Sequence, residues 1–207
     1  MHMYFYEHVH LTMEGNYRVA LGFADKIISS LVHYQSLENR LYVNAQLEKN
    51  AVLERLATTL FDQRRIWQLA QWRIDREPYK QQSSHKRNMQ YVENRIAQID
   101  THLSSQAYAR DEALYLKILD KYPYDVEIRW NYAQFLERSN RLSEAIEQGK
   151  IICSYWPTAP YPHYFVGSLL RKEKRYSDAD TYLEKALKID PQFTQAAEEL
   201  RLIQLLR

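Results

Sequence analysis

The chain has 207 residues, of which 45% are hydrophobic and 26% charged, with a formal net charge of +2. This composition excludes a disordered chain, and so small a net charge gives no reason to expect nucleic acid or anionic lipid as a partner. A single cysteine, Cys153, rules out an internal disulfide.

Only four glycines and six prolines occur. That is too few turn residues for a barrel, a sandwich or a phosphate-cradling loop, so the expected class is all-α with short connections. The longest apolar run is about KIISSLV, well short of the ~18 residues that read as a membrane helix. His2, Glu7, His8 and His10 stand where a secretory signal would need an apolar centre. The expectation is a soluble polypeptide, cytoplasmic by default, with no membrane insertion.

In chain order, the first stretch with chemical content is YEHVHLTMEGNY (6–17). Glu7-x-x-His10, with Leu11, Thr12, Gly15 and Ala20 behind it, resembles the last conserved block of SGNH (GDSL-type) ester hydrolases. In that family an acid three residues before a histidine completes a triad with an upstream serine. The resemblance therefore implies Glu7 as orienting acid and His10 as general base. Family members usually carry Asp where this chain has Glu7. Thr12 stands where a cap would start the helix MEGNYRVALGFADKII. No Gly-Asp-Ser block is present, and Gly15, Gly22, Gly149 and Gly167 all fall in helical contexts, so nothing supplies an oxyanion hole. Two readings stay open. Residues 1–35 are the remnant of a hydrolase domain, joined to a helical repeat array as in bacterial fusions, or the E-x-x-H match is coincidental. On either reading no activity is expected from this chain alone. His2, His8 and His10 have no Cys or Asp cluster to complete a metal site, and no cofactor is expected.

Residues 36–91 read as a helical connecting region. Leu53, Leu56, Leu60, Trp67, Leu69 and Ala70 recur at helical spacing, and TTLFDQRRIW starts a helix at Thr59. REPYKQQSSHKR (76–87) is a polar linker. Arg73, Arg76, Lys80, Lys86, Arg87 and Arg95 outnumber Asp75, Glu77 and Glu93 around it, which makes it a solvated loop or a site for an anionic partner. A helix over about 86–104 comes next.

The remainder is periodic. Pro123, Pro157 and Pro191 lie 34 residues apart, and 126–159 aligns with 160–193 without a gap. Matched pairs include Tyr132/Val166, Ala133/Gly167, Leu136/Leu170, Leu142/Tyr176, Ala145/Ala179 and Ile152/Ala186. Small residues let antiparallel helices approach, larger ones fill the seam, and each proline stops a helix. In RLSEA and RYSDA, Ser143 and Ser177 stand where second helices begin, with acids in the first turn. The pattern resembles the tetratricopeptide repeat. The array would run over 92–207: a degenerate first repeat at 92–125, with Ile99 where a small residue belongs, two regular repeats, and a solvating cap at 194–207.

The resemblance implies a protein or peptide partner and a concave face. Its positions fall on Glu127, Trp130, Gln134, Glu137 and Arg138, then Tyr161, Tyr164, Ser168, Arg171 and Lys172. Aromatic and basic residues together suit peptide capture. Trp130 and Gln134 replace the Lys and Asn with which chaperone-tail repeats clamp a terminal carboxylate, so that ligand is not expected. The alternative is a face filled by the protein's own N-terminal helices. Cys153 reads as core, and His163 as a satisfied, partly buried packing residue.

Overall fold

The computed structural model describes residues 59–207, together with helical positions at 15–16, 18–23 and 26. Glu7, His10, Leu53 and Leu56 lie outside the described residues. All regular structure among the described residues is helical. The chain divides into two compact units, Met1–Asp111 and Glu112–Arg207.

In the first unit, α1 (Leu60–Ile74) and α2 (His85–Asp100) form a hairpin around a short 3-10 turn at Tyr79–Gln81. Thr59 starts α1 as its sequence suggests: its hydroxyl oxygen accepts the Asp62 N–H at 3.0 Å. The buried carboxylate of Asp111 accepts the Phe61 N–H at 3.1 Å, placing negative charge at the positive end of the helix. Trp67, Ala70 and Ile74 pack on Val92 and Ile99, with Tyr91 edge-on to Trp67 at 5.7 Å. Leu69 departs from the expected apolar stripe. The 67–70–74 spacing turns it outward, 56% exposed, along with Trp72, whose ring is covered by Arg76 at 3.7 Å.

The polar linker is mostly exposed but shorter than expected, because His85, Lys86 and Arg87 already belong to α2. That helix stops at Asp100 rather than near 104. Ser104 is needed beyond it, where its hydroxyl accepts the Ala107 N–H and opens α3 (Ser105–Lys121). The boundary between the two units falls within α3.

The second unit is a short solenoid. After α3 come α4 (Val126–Arg138), α5 (Leu142–Tyr155), α6 (Pro160–Lys172), α7 (Tyr176–Ile189) and α8 (Thr194–Leu206). Each proline sits second in the same turn. The Asp125 N–H donates to Tyr122, Ala159 to Trp156 and Phe193 to Asp190, at 3.0 to 3.2 Å. Proline suits that position because its ring fixes φ and it has no N–H to satisfy. The turn thus recurs at the end of 92–125 as well.

The tight turn between paired helices also repeats. Arg141 N–H returns to the Leu136 carbonyl and Arg175 to Leu170, each at 2.9 Å, around left-handed Asn140 (φ 58) and Lys174 (φ 61). This closure moves the expected serine caps. α5 and α7 begin two residues earlier, with Arg141 and Arg175 in the cap position pairing with Glu144 and Asp178. Ser143 instead donates across the repeat to Glu173 at 2.5 Å.

Ala133, Ala145 and Ala179 are fully buried. A Cβ built on Gly167 would stand 2.6 Å from Leu183 Cγ, so α6 and α7 meet with no space for a methyl group. Gly149 occupies the place of Leu183 one repeat earlier, and there Val166 and Phe165 fill the gap from α6.

The seam and the tight turn each set a stability outcome. Ala179→Leu should destabilise the array by about 1–3 kcal/mol through overpacking, read as a clearly lowered Tm. Lys174→Gly relieves a left-handed lysine and should raise stability by about 1 kcal/mol, more than Asn140→Gly does, since Asn tolerates that conformation. Equal or reversed shifts in chemical denaturation would refute the assignment.

Candidate functional site

The first helices of successive pairs, α4, α6 and α8, stand side by side and share one face. Trp130 of α4 meets Tyr161 and Phe165 of α6, at ring-centroid distances of 5.3 and 4.9 Å. Tyr161 lies 5.7 Å from Tyr164, and both contact Phe193 at the entry to α8, at 6.2 and 5.4 Å. With Phe165, which is buried, these make five rings, and the run Trp130–Tyr161–Tyr164–Phe193 passes from α4 across α6 to the entry of α8. Trp130 and Tyr164 are partly buried, whereas Tyr161 is 50% exposed and forms the open part of the run.

Beyond the rings the face becomes polar. Ser168 and Arg171 both donate to Glu199 of α8, the Arg171 guanidinium through two nitrogens. Lys172 reaches Glu137 of α4 at 2.6 Å. The Glu199 carboxylate holds the Arg171 pKa above its ordinary value. Burial, followed by the charge of Glu199, raises that of the Tyr164 phenol. Gln134 is partly buried and Arg138 exposed, and both have partners of their own. Trp130, Tyr161, Tyr164, Ser168, Arg171 and Lys172 are thus brought together, with the two basic groups of α6 already ion-paired.

Phe193 and Glu199 complete the face and were not among the expected residues. Phe193 is the last residue of its repeat, aligned with Ala159, and Glu199 lies in the expected cap. The signal was the period itself, carried one repeat further.

His163 is fully buried rather than partly so. Its Nε2 lies 3.3 Å from the Pro157 carbonyl, which only an N–H can satisfy, and its Nδ1 has no hydrogen-bond partner among the described residues. Arg129, 34 residues earlier, donates to the Pro123 carbonyl at 2.7 Å. This repeat position ties down the preceding proline turn. Cys153 is buried, and burial pushes its thiol up to about 11, which makes it an inert core residue. Among the described residues no group of three or more His, Cys, Asp or Glu side chains is placed to hold a metal ion. No helix among them is long and apolar enough to cross a membrane.

Residues 162–193 match the tetratricopeptide repeat. They span most of α6, all of α7 and the turn into α8, which is one repeat of the solenoid. None of the curated proteins compared matches the chain. Solved structures with some likeness include MamA (residues 41 to the end) from Desulfovibrio magneticus RS-1, at 14% identity and a TM-score of 0.45, covering 70% of this chain and 85% of that one. A MamA RS-1 double mutant gives 14%, 0.45, 70% and 84%. YrrB, a TPR protein with an unusual peptide-binding site, gives 15% identity and a TM-score of 0.44, covering 88% of each chain.

The helical array carries a pH dependence through His163. Burial, and after it the nearby Lys185 charge, lower the imidazole pKa from 6.5, against the pull of the Pro157 carbonyl. The unfolded chain then binds the proton more readily than the folded one, so this stability is present above about pH 6.5 and is lost as pH falls below it. Tm should drop between pH 7 and 5.5, and His163→Leu and His163→Gln should flatten that drop. Parallel curves for wild type and both variants would refute the assignment.

Proposed function

We propose that this chain is a protein-interaction module that takes an extended peptide segment on the shared face of α4, α6 and α8. The observation that carries the reading is the ring run Trp130–Tyr161–Tyr164–Phe193, which leaves Tyr161 half exposed beside a polar strip. Aromatic side chains supply large, stiff contact area at little entropy cost, and the neighbouring Ser168, Lys172 and Glu137 can orient a backbone or side chain at the rim. Exposed rings bordered by charge are what a surface keeps for a partner. The role of Trp130, Gln134, Arg138, Tyr161, Tyr164, Ser168, Arg171 and Lys172 as contact residues belongs to this proposal.

The test is a selection from a random peptide display library against the full chain, followed by calorimetry on the enriched sequences. Tyr161→Ala should weaken them at least tenfold, equivalent to about 1.4 kcal/mol, with Tm unchanged. Trp72→Ala in the first unit should leave binding intact. Enriched peptides indifferent to both Tyr161→Ala and Trp130→Ala would show that the face is not the binding surface.

A further inference from the structure

Past the rings and the polar strip, the shared face turns apolar again. Leu202, Leu205 and Leu206 follow Ser168, Arg171 and Lys172 by one 34-residue period, and so hold on α8 the places that those residues hold on α6. Glu199, which reaches Arg171 and Ser168, lies three residues before Leu202 and seven before Leu206, so these three share one stripe of the helix. Ala196 and Ile203, both fully buried, anchor α8 from its inner side. Leu202 is half-buried, whereas Leu205 is 71% exposed and Leu206 56%. Where α6 presents an arginine and a lysine, α8 presents two open leucines.

Charge on the three helices cancels. Arg129 of α4 is turned to the Pro123 carbonyl and to Gln148. The other charged residues of α4, α6 and α8 are four acids (Glu127, Glu137, Glu198 and Glu199) and four bases (Arg138, Arg171, Lys172 and Arg201). Arg171 is held by Glu199 and Lys172 by Glu137, and Arg138 has a partner of its own. Arg201 stands one helical turn beyond Glu198, where opposite charges support each other. The face thus favours neither sign of ligand charge, and a charged ligand gains most only by breaking a pair already made. What it leaves unsatisfied is apolar: the rings around Tyr161 at one end and the leucines at the other.

We propose that the face selects an uncharged, two-anchor segment: an extended peptide with one bulky apolar side chain on Tyr161 and the adjoining rings and a second against Leu205 and Leu206. This rests on the peptide-binding reading of the same face. The spacing of the anchors follows from α8 itself. Phe193 closes the ring run and Leu205 comes twelve residues later, a rise of about 18 Å along a helix. An extended chain covers that in about five residues. Between the anchors the peptide crosses Ser168 and the two ion pairs, which offer polar contact to its backbone without asking for charge. Two exposed leucines beside half-exposed rings form the kind of apolar surface, rimmed by polar groups, that a partner covers.

The experiment uses the full chain and four fluorescein-labelled peptides on one Ser-Thr scaffold. The first carries two phenylalanines five residues apart and the second only one of them. The third and fourth carry both, with a pair of arginines or of glutamates between. Fluorescence anisotropy should show the two-anchor peptide binding at least tenfold tighter than the single-anchor one, with a Kd flat in salt and neither charged peptide binding tighter. Tyr161→Ala should weaken both uncharged peptides at least tenfold. The double variant Leu205→Ser/Leu206→Ser should bring the two-anchor peptide down to the single-anchor level and leave the latter unchanged, at unchanged Tm. Leu205→Ser alone, at the more exposed position, should act in the same direction. Equal binding of the two uncharged peptides, indifference to the leucine variants, or tenfold tighter binding of a charged peptide overturns the proposal. If binding in those cases still depends on Tyr161, the two-anchor selection fails while the peptide-binding reading stands. If no peptide binds in a Tyr161-dependent way, the two-anchor selection is overturned, and the display selection decides the broader reading separately.

Discussion

The contact between Gly167 and Leu183 is where the array has least freedom. With 2.6 Å between a would-be Cβ and Leu183 Cγ, α6 can lie only as close to α7 as a residue without a side chain permits. That approach fixes which side of α6 is inward, burying Val166, Leu169 and Leu170. It leaves Tyr161, Tyr164, Ser168 and Arg171 on the other side. The outward set is thus a consequence of the inward one, because a helix with one stripe locked has no rotation left. One repeat earlier the same seam is made with the sizes exchanged. Gly149 stands where Leu183 does, and Phe165 and Val166 supply the bulk. The interface conserves volume rather than residue type, which is what close packing demands.

Much of this was legible in the sequence. Three prolines at equal spacing define three copies of a turn, because proline's fixed φ and missing N–H admit few other uses. Ala133, Ala145, Gly167 and Ala179 stand out as small residues at repeating positions, and they are the buried ones. Thr59 announces its helix because a cap is a local interaction between neighbours. What could not be read depends on distant partners. Ser143 looks like a cap and serves as a bridge to Glu173. Leu69 looks like core and faces outward, since one extra apolar residue beside a stripe does not reveal which of the two is buried. The face itself was half legible. Trp130, Tyr161 and Tyr164 come from the period, whereas Phe193 and Glu199 contribute only because α8 begins a further repeat.

Polar residues keep a consistent division of labour within the second unit. Glu112 accepts the Tyr132 hydroxyl at 2.9 Å and Arg141 at 2.6 Å, stitching α3 to α4 and to the turn after it, and burial beside that carboxylate raises the Tyr132 pKa. Glu173 accepts Ser143, and Glu199 accepts Arg171 and Ser168. In each case a carboxylate on or just beyond one helix accepts from a side chain of another part of the array. Partly buried pairs of this kind matter less for their net energy than for the register they impose, because an acid with two donors fits only one alignment.

The tie between a first-helix side chain and the preceding proline turn changes character along the array. Arg129 holds the Pro123 carbonyl with a permanent cation, His163 holds Pro157 with a single neutral N–H, and the equivalent residue of α8 is the exposed Ala197, which has no side chain to hold Pro191. In a solenoid each repeat rests only on its neighbours, so such a series imposes a direction on unravelling. α8, held by buried Ala196 and Ile203, the Glu199 clasp and the Arg207–Asp180 pair but by no such tie, peels first, and the α4 end persists longest. Amide protons along the array should accordingly exchange in a gradient rather than all together.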